Sequence, residues 1–381
     1  MLILVMNPSS MDLSLTQTQE MLRSTIRSLV KREFPTQTLV DMDCRKTPFT
    51  TTTWNKLTSS GWTSLLIPQV YGGEGGSLTD AAILFQELGR GPVPGPHFSS
   101  SILGTLILLQ ICSEDQKAYL LPNLASGKKV LGLAHTESEY DHERVHMRAY
   151  RDGDSYILNG TKLFVQDVLG TTQLIITALL ETDKLGLFLV DSSSEGLEIQ
   201  GLDGWSTGVS QVSLDHVRVA QDALLGTGKN NGWSDLFAAI ERALPILCAY
   251  QIGSCEAVFD MTVEYANKRR QFGVPIGRFQ RVQDHIISQI NHLDAATLST
   301  YEALWKLDTG QETAKSSVHL SKSITSEAHY QICNASHEVH AGLGIMRDYG
   351  LTLHTKLSRT LYHYLGTPKY HKQQLVMALN L

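Results

Sequence analysis

Cysteine is scarce: Cys44, Cys112, Cys248, Cys255 and Cys333 are the only five in 381 residues, and no CxxC or CxxH spacing occurs. A zinc ribbon or a disulfide framework has nothing to build on, and a reducing cytoplasm is the default expectation. Positive charge is not in excess either. Lys and Arg number 32 against 38 Asp and Glu, a net charge of -6, which argues against nucleic acid as the main partner. No apolar run approaches the roughly 18 residues that suggest a membrane span. The opening Met1-Leu-Ile-Leu-Val-Met6 stretch is too short for a signal sequence and lacks basic residues. The first ten residues are therefore expected to be a disordered extension before a domain start near Met11. Internal repeats and low-complexity tracts are also absent.

What is present falls into three blocks. From Leu13 to Ser126 the pattern is helical, opened by Thr16-Gln-Thr-Gln19 with the spacing of a capping box. The glycine-dense loop from Leu66 to Gly76 lacks the Lys-Ser/Thr of a phosphate-binding loop and follows no strand. From Lys129 the period changes to two, in short segments separated by the turn signals Arg151-Asp-Gly-Asp154 and Asn159-Gly160, which predicts an antiparallel β domain. The helical period returns at Trp233. Ser234 is a candidate cap and Pro245 is expected to kink the helix. Further helices are expected near 280–308, 313–341 and 351–381. The boundaries expected are 1–128 for the N-terminal α-helical domain, 129–228 for the β domain and 229–381 for the C-terminal helices.

The most specific segment is Tyr265-x-x-x-Arg269-x-Gln-Phe272-Gly273, followed by Pro275-Ile276 and by Phe279-Gln280 opening a new helix. Arg269 is a fixed cation at a helix exit, suited to a phosphate oxygen. Gly273 permits a tight turn, and Pro275 sets the backbone beyond it. This order of residues resembles the signature of the acyl-CoA dehydrogenase family, and the likeness extends over nearly the whole chain. It implies an α+β fold: an all-α N-terminal domain, a middle antiparallel β domain and a C-terminal four-helix bundle. It also implies FAD as cofactor, with Arg269, Phe272, Ile276 and Gln280 reaching a neighbouring subunit's FAD. Glu338-Val-His340-Ala-Gly342-Leu-Gly344 is similar to the family loop that approaches the same neighbouring FAD, which adds Glu338 and Gly342. His135-Thr136-Glu137 and Lys162-Leu-Phe164-Val165-Gln-Asp167 resemble the two flavin segments, implying cofactor roles for His135, Thr136, Phe164 and Val165. Thr367 completes the set. Ser138-Glu-Tyr140-Asp141 replaces the usual residues after Thr-Glu, and with Phe-Val-x-Asp it resembles a bacterial branch acting on bulky, aromatic or dicarboxylic acyl groups.

One position departs sharply. Tyr364-Leu365-Gly366-Thr367 stands where many family members have Tyr-Glu-Gly-Thr, whose glutamate takes the α-proton. Leu365 cannot accept a proton, and such chemistry needs a positioned base. Two carboxylates are candidates, Glu241 and Asp348. Glu241 belongs to a Glu-Arg pair like that of relatives with a relocated base. Counting back from Gly253, however, puts Ala243 at the matching place, and two residues on a regular helix is about 200°. The remaining alternative is a chain with no base of its own.

The resemblance implies an α,β-dehydrogenation of an acyl-CoA substrate, with electron-transfer flavoprotein as acceptor and a homodimer or tetramer as assembly. A flavin monooxygenase, a desulfinase-like enzyme, and a base-less subunit of a heterotetramer are the alternatives. Metal, nucleic acid and membrane span are not expected.

Overall fold

The computed structural model describes residues 11–44, 51–137, 143–204, 208–226 and 232–381. The opening ten residues and the 138–141 replacement lie outside these.

Helix α1 (Gln17–Glu33) starts on the capping box, with Gln19 N–H donating to Thr16 Oγ1 at 3.3 Å and Thr16 N–H donating to Gln19 Oε1 at 3.0 Å. Helices α2 (Thr36–Cys44) and α3 (Thr51–Ser59) follow. Helix α4 (Leu78–Arg90) carries a second such box from Ser77 and Asp80. After the proline-rich turn, a π-helical stretch at His97–Gly104 leads into α5 (Thr105–Ile111) and α6 (Glu114–Ala125).

The strands are β1 (Leu131–Ala134), β2 (Arg148–Asp152), β3 (Ser155–Gln166), β4 (Gln173–Leu179), β5 (Leu185–Asp191), β6 (Leu197–Gly201) and β7 (Val209–Ala220). They form one seven-stranded sheet, ordered β1-β4-β2-β3-β7-β6 with β5 also on β4. Most pairs are antiparallel, but β1 and β2 run parallel to β4, so the sheet is mixed. The Asp-Gly signal is a tight hairpin closing on Asp152 and Ser155, with Gly153 at φ 59. The Asn159-Gly160 signal is not a turn. It is a bulge inside β3, where the register against β7 slips between Leu158 and Gly160.

Helix α7 (Gly232–Lys268) runs unbroken through Pro245, and because it has begun by Gly232, Ser234 lies inside its first turn. By length and composition α7 could cross a membrane, which the sequence pattern had not suggested. Its most apolar stretch is 78% buried within this fold, as in the core helix of a bundle. A short hairpin, β8 (Arg270–Gln271) and β9 (Val274–Pro275), leads to α8 (Gln280–Asp308) and α9 (Ala314–His340). The last expected helix divides into α10 (Leu351–His363) and α11 (Pro368–Ala378), parted by the Leu365-Gly366 turn, with φ of 57° and 112°. Helices α7 and α9 run parallel: their N-terminal parts meet through Lys315 and Glu241, their C-terminal parts through Tyr265 stacked on His340 at 4.6 Å.

Two glycines fix the N-terminal helices to this bundle. A Cβ on Gly253 of α7 would lie 1.7 Å from the Gln86 carbonyl oxygen, and one on Gly89 of α4 would lie 1.9 Å from that of Tyr250. Backbone touches backbone there, so α4 and α7 cross in direct contact.

Candidate active site

A cavity of about 1160 Å³ opens between the C-terminal end of β3, the N-terminal halves of α7 and α9, and α10–α11. That is ample for a flat ring system with a second molecule beside it.

The sheet side of the cavity is pinned by a buried ion pair. Lys162, fully buried, donates to Glu137 Oε1 at 2.7 Å, Thr177 Oγ1 at 3.2 Å and the His135 carbonyl at 3.3 Å. Glu137 also accepts from the backbone N–H groups of His146 and Met147, at 2.8 and 3.1 Å. Burial pulls Lys162 down to about 8, opposed by Glu137. Burial pushes Glu137 up, but Lys162 and the two amides outweigh it and leave the carboxyl below its ordinary value. Removing either partner would strand a buried charge, at a cost of about 3–5 kcal/mol. The pair holds His135 and Thr136 against β3, whose ladder with β7 is interrupted between Lys162 and Val165. Leu163 N–H there donates to the Thr136 carbonyl at 2.8 Å. Phe164, at φ 55 and 45% exposed, is turned toward the cavity. His135 packs edge-on against Trp233, and Trp233 stacks on Phe237 at 5.8 Å.

This wall suits a flavin. Leu163 and Phe164, on backbone that has left the β ladder, and Val165, where pairing to Ser210 resumes, give the cavity an apolar lining. His135 and Thr136 supply polar groups at its edge.

The opposite wall carries charge. Phe237, Ile240, Glu241 and Leu244 line the cavity at the spacing of one helix face, so Glu241 points inward. Ala243, the position given by counting back from Gly253, is fully buried on another face. The counting argument therefore misplaces the inward face by two residues. Glu241 Oε1 lies 2.9 Å from Lys315 Nζ and 3.5 Å from His319 Nε2. Burial pushes its carboxyl up, but His319 and Lys315 outweigh it and leave Glu241 below the usual carboxylate range. Beyond it, His319 Nδ1 meets His371 Nδ1 at 3.0 Å, and His371 Nε2 meets the Leu365 carbonyl at 3.0 Å. Leu365 itself lines the cavity. Lys315, His319 and His371 were not singled out from the sequence. The Lys315–His319 spacing on an inward helix face was the available signal.

Asp348 lines neither this cavity nor the next; it is exposed in a short 3-10 turn, Arg347–Tyr349. Asp167 faces a second cavity of about 130 Å³, which shares Gln166 and Tyr364 with the first. Burial pushes its carboxyl up to about 7, opposed by Gln166. Thr367 uses its hydroxyl to cap α11, accepting from Tyr370 N–H at 3.2 Å.

The other proposed cofactor residues gather elsewhere. From Glu241 to the end of α7 is about 40 Å at 1.5 Å per residue, so Arg269 cannot serve its own chain's cavity. Arg269, Phe272 and Gln280 are exposed, as are Glu338 and Gly342 at the end of α9. Ile276 packs with Ala266 and Val339 and joins the two segments. Arg269 makes no ion pair among the described residues, and Phe272, at φ 51, is 92% exposed.

Residues 16–128 match the model of the acyl-CoA dehydrogenase N-terminal domain and residues 230–379 that of the C-terminal domain. A 3-(aryl)acrylate reductase of Clostridium sporogenes is 30% identical, over 96% of this chain and 99% of its own. The caffeyl-CoA reductase-Etf complex subunit CarC of Acetobacterium woodii is 28% identical, over 95% and 98%. Among solved structures, butyryl-CoA dehydrogenase from Megasphaera elsdenii superposes with a TM-score of 0.89 at 21% identity, over 97% of this chain and 100% of that one, and shows the same fold. The chain belongs to the acyl-CoA dehydrogenase family and is an FAD-dependent flavin oxidoreductase of that family.

Proposed function

We propose that this protein catalyses the reversible α,β-dehydrogenation of an acyl-CoA thioester. The observation that carries this reading is Glu241, an inward-facing carboxylate paired with Lys315 across the cavity from Phe164. Glu241 takes the α-proton, a role that needs a base held within hydrogen-bond reach of the substrate. FAD held against the Phe164 wall would supply the two-electron acceptor for the hydride leaving Cβ. Leu365, without a carboxylate, retains a backbone N–H that can donate to the thioester carbonyl and stabilise charge developing there. Phe164 and Val165 cover one side of the flavin, and His135 and Thr136 serve its edge.

Two relatives are named as reductases, one of 3-(aryl)acrylate and one of caffeyl-CoA, the latter as a subunit of a complex with Etf. Both names support a conjugated acyl substrate for this chain, and the second supports an electron-transfer flavoprotein as redox partner.

The assembly proposed is a homodimer or tetramer, in which Arg269, Phe272, Ile276, Gln280, Glu338 and Gly342 hold the diphosphate and adenine of a neighbour's FAD. Phe272, Ile345 and Met346, with exposures of 92%, 72% and 55%, support a subunit contact at that end.

The test is anaerobic addition of a panel of acyl-CoA thioesters to the yellow protein. Bleaching of the flavin by at least one saturated thioester is expected. An oxygenated product formed only in air would instead indicate a monooxygenase. A protein that holds FAD only with a co-expressed related subunit would indicate a heteromer.

A further inference from the structure

The Leu365 carbonyl can only accept, so His371 Nε2, 3.0 Å away, must carry a proton. In a neutral His371 the Nδ1 is then an acceptor, and the facing His319 Nδ1, at 3.0 Å, must donate. A neutral His319 is left with a bare Nε2, aimed at Glu241 Oε1 from 3.5 Å. Two lone pairs then face each other and no hydrogen bond closes the gap, so His319 holds the Glu241 carboxyl down only when its Nε2 carries a proton. One added proton would close that gap.

We propose that Glu241, His319 and His371 form one proton relay, in which Glu241 meets the substrate and the two buried imidazoles carry away the proton it receives. The proposal rests on the dehydrogenation reading above. The Cα–H bond breaks, its electron pair goes to the forming Cα=Cβ bond, and the proton goes to Glu241. Glu241 O–H passes a proton to His319 Nε2, and His319 Nδ1–H passes one to His371 Nδ1. The carboxylate is regenerated and His371 becomes an imidazolium, still donating to the Leu365 carbonyl. Reduction runs the same transfers backwards. His319 and His371 are 3% and 1% exposed, so the proton passes through the two imidazoles before it reaches solvent.

The charged and titratable groups facing the trio are Lys315 of α9, 2.9 Å from Glu241, and Tyr370 of α11, edge-on to His371. Lys306 of α8 is held by Glu302 and Ser317, at 2.7 and 2.8 Å. Arg359, Tyr362 and His363 line the same cavity.

Two measurements test the relay, and only the second needs turnover. In the FAD-loaded protein with 15N-labelled histidine, ring-nitrogen NMR is recorded against pH for wild type, Glu241→Gln and His371→Gln. The expected result is that Glu241→Gln changes the titration of both His319 and His371, and that His371→Gln changes that of His319. Independent titrations, unmoved by loss of the other members, overturn the proposal. The second measurement is the pH profile of anaerobic bleaching. Bleaching needs the trio without its extra proton, and an imidazole ordinarily takes a proton about two pH units above a carboxylate. His319→Gln therefore moves the acid limb down by about two pH units at unchanged flavin content. An unmoved acid limb overturns the relay, and His371→Gln provides the same readout should His319→Gln not fold. If no thioester bleaches the wild type, the dehydrogenation reading fails, and the NMR coupling alone decides whether the trio shares its proton.

Discussion

The parallel helices α7 and α9 end very differently at their two extremities. At the N-terminal end, Glu241 pairs with Lys315 at 2.9 Å and faces His319 at 3.5 Å, and His319 meets His371 at 3.0 Å. At the C-terminal end, Arg269 has no ion-pair partner among the described residues, and Phe272 stands 92% in solvent beside Phe279. Between them, Tyr265 stacked on His340, and Val339 against Ile276, show that the far end is packed inside while Arg269 on its surface makes no ion pair among the described residues. A polar site completed within the chain is built for chemistry. A packed surface carrying an unpaired guanidinium and a solvent-exposed phenyl ring fits the subunit contact proposed above.

That contrast can be broken by mutation. Glu241→Gln leaves the flavin wall intact, so flavin content holds while bleaching by the best thioester slows by about a thousandfold; stopped-flow absorbance reads both. Arg269→Ala is expected to do the opposite. Loss of a charge-assisted bond worth about 1.5–3 kcal/mol weakens FAD retention by about 10- to 100-fold, and bleaching per bound flavin stays at the wild-type rate. Flavin release followed by fluorescence checks this, and unchanged retention would remove Arg269 from the cofactor site. Leu365→Glu placed on Glu241→Gln sharpens the picture of the cavity. Leu365 lines the same cavity, so a carboxylate there should recover about tenfold of the lost bleaching rate. No recovery would mean that position 365 does not face the α-carbon.

The smallest effect concerns the bundle between the two ends. Ser254 Oγ lies 2.8 Å from both His329 Nε2 and His354 Nδ1. Burial holds His329 down to about 3 and His354 to about 4, from an ordinary 6.5. Below about pH 6.5 the unfolded chain binds protons that the folded chain refuses. This contribution to stability is whole above pH 6.5 and is lost as pH falls toward 4 and then 3. Each histidine adds up to about 1.4 kcal/mol per pH unit to the slope. Urea unfolding between pH 7 and pH 5 should give a shallower slope for His329→Leu than for wild type.

The succession of helices, strands and helices was legible because hydrophobic period switches from 3.6 to 2 and back. Strands β2 and β6 were not, since β2 buries only Ala149 and β6 buries no residue fully, leaving no apolar run to read. The parallel pairing of β1 with β4 is set by distant segments, and no local turn signal reports it. Asn159-Gly160 has turn chemistry but serves a bulge, because flanking residues on both sides stay paired to β7. In the cavity, the inward direction of Glu241 could have been read from its spacing with Phe237, Ile240 and Leu244. Its partners could not. His319 and His371 lie on different helices, and only the packing of α11 on α9 brings their rings together.

Removal of the α-proton can be observed apart from the redox step. The FAD-loaded protein is incubated with a saturated substrate thioester in D2O, and deuterium at Cα is followed by mass spectrometry. The wild type should exchange the α-proton with solvent and Glu241→Gln, carrying full flavin, should not. Equal exchange by both proteins would contradict the assignment of Glu241 as the base.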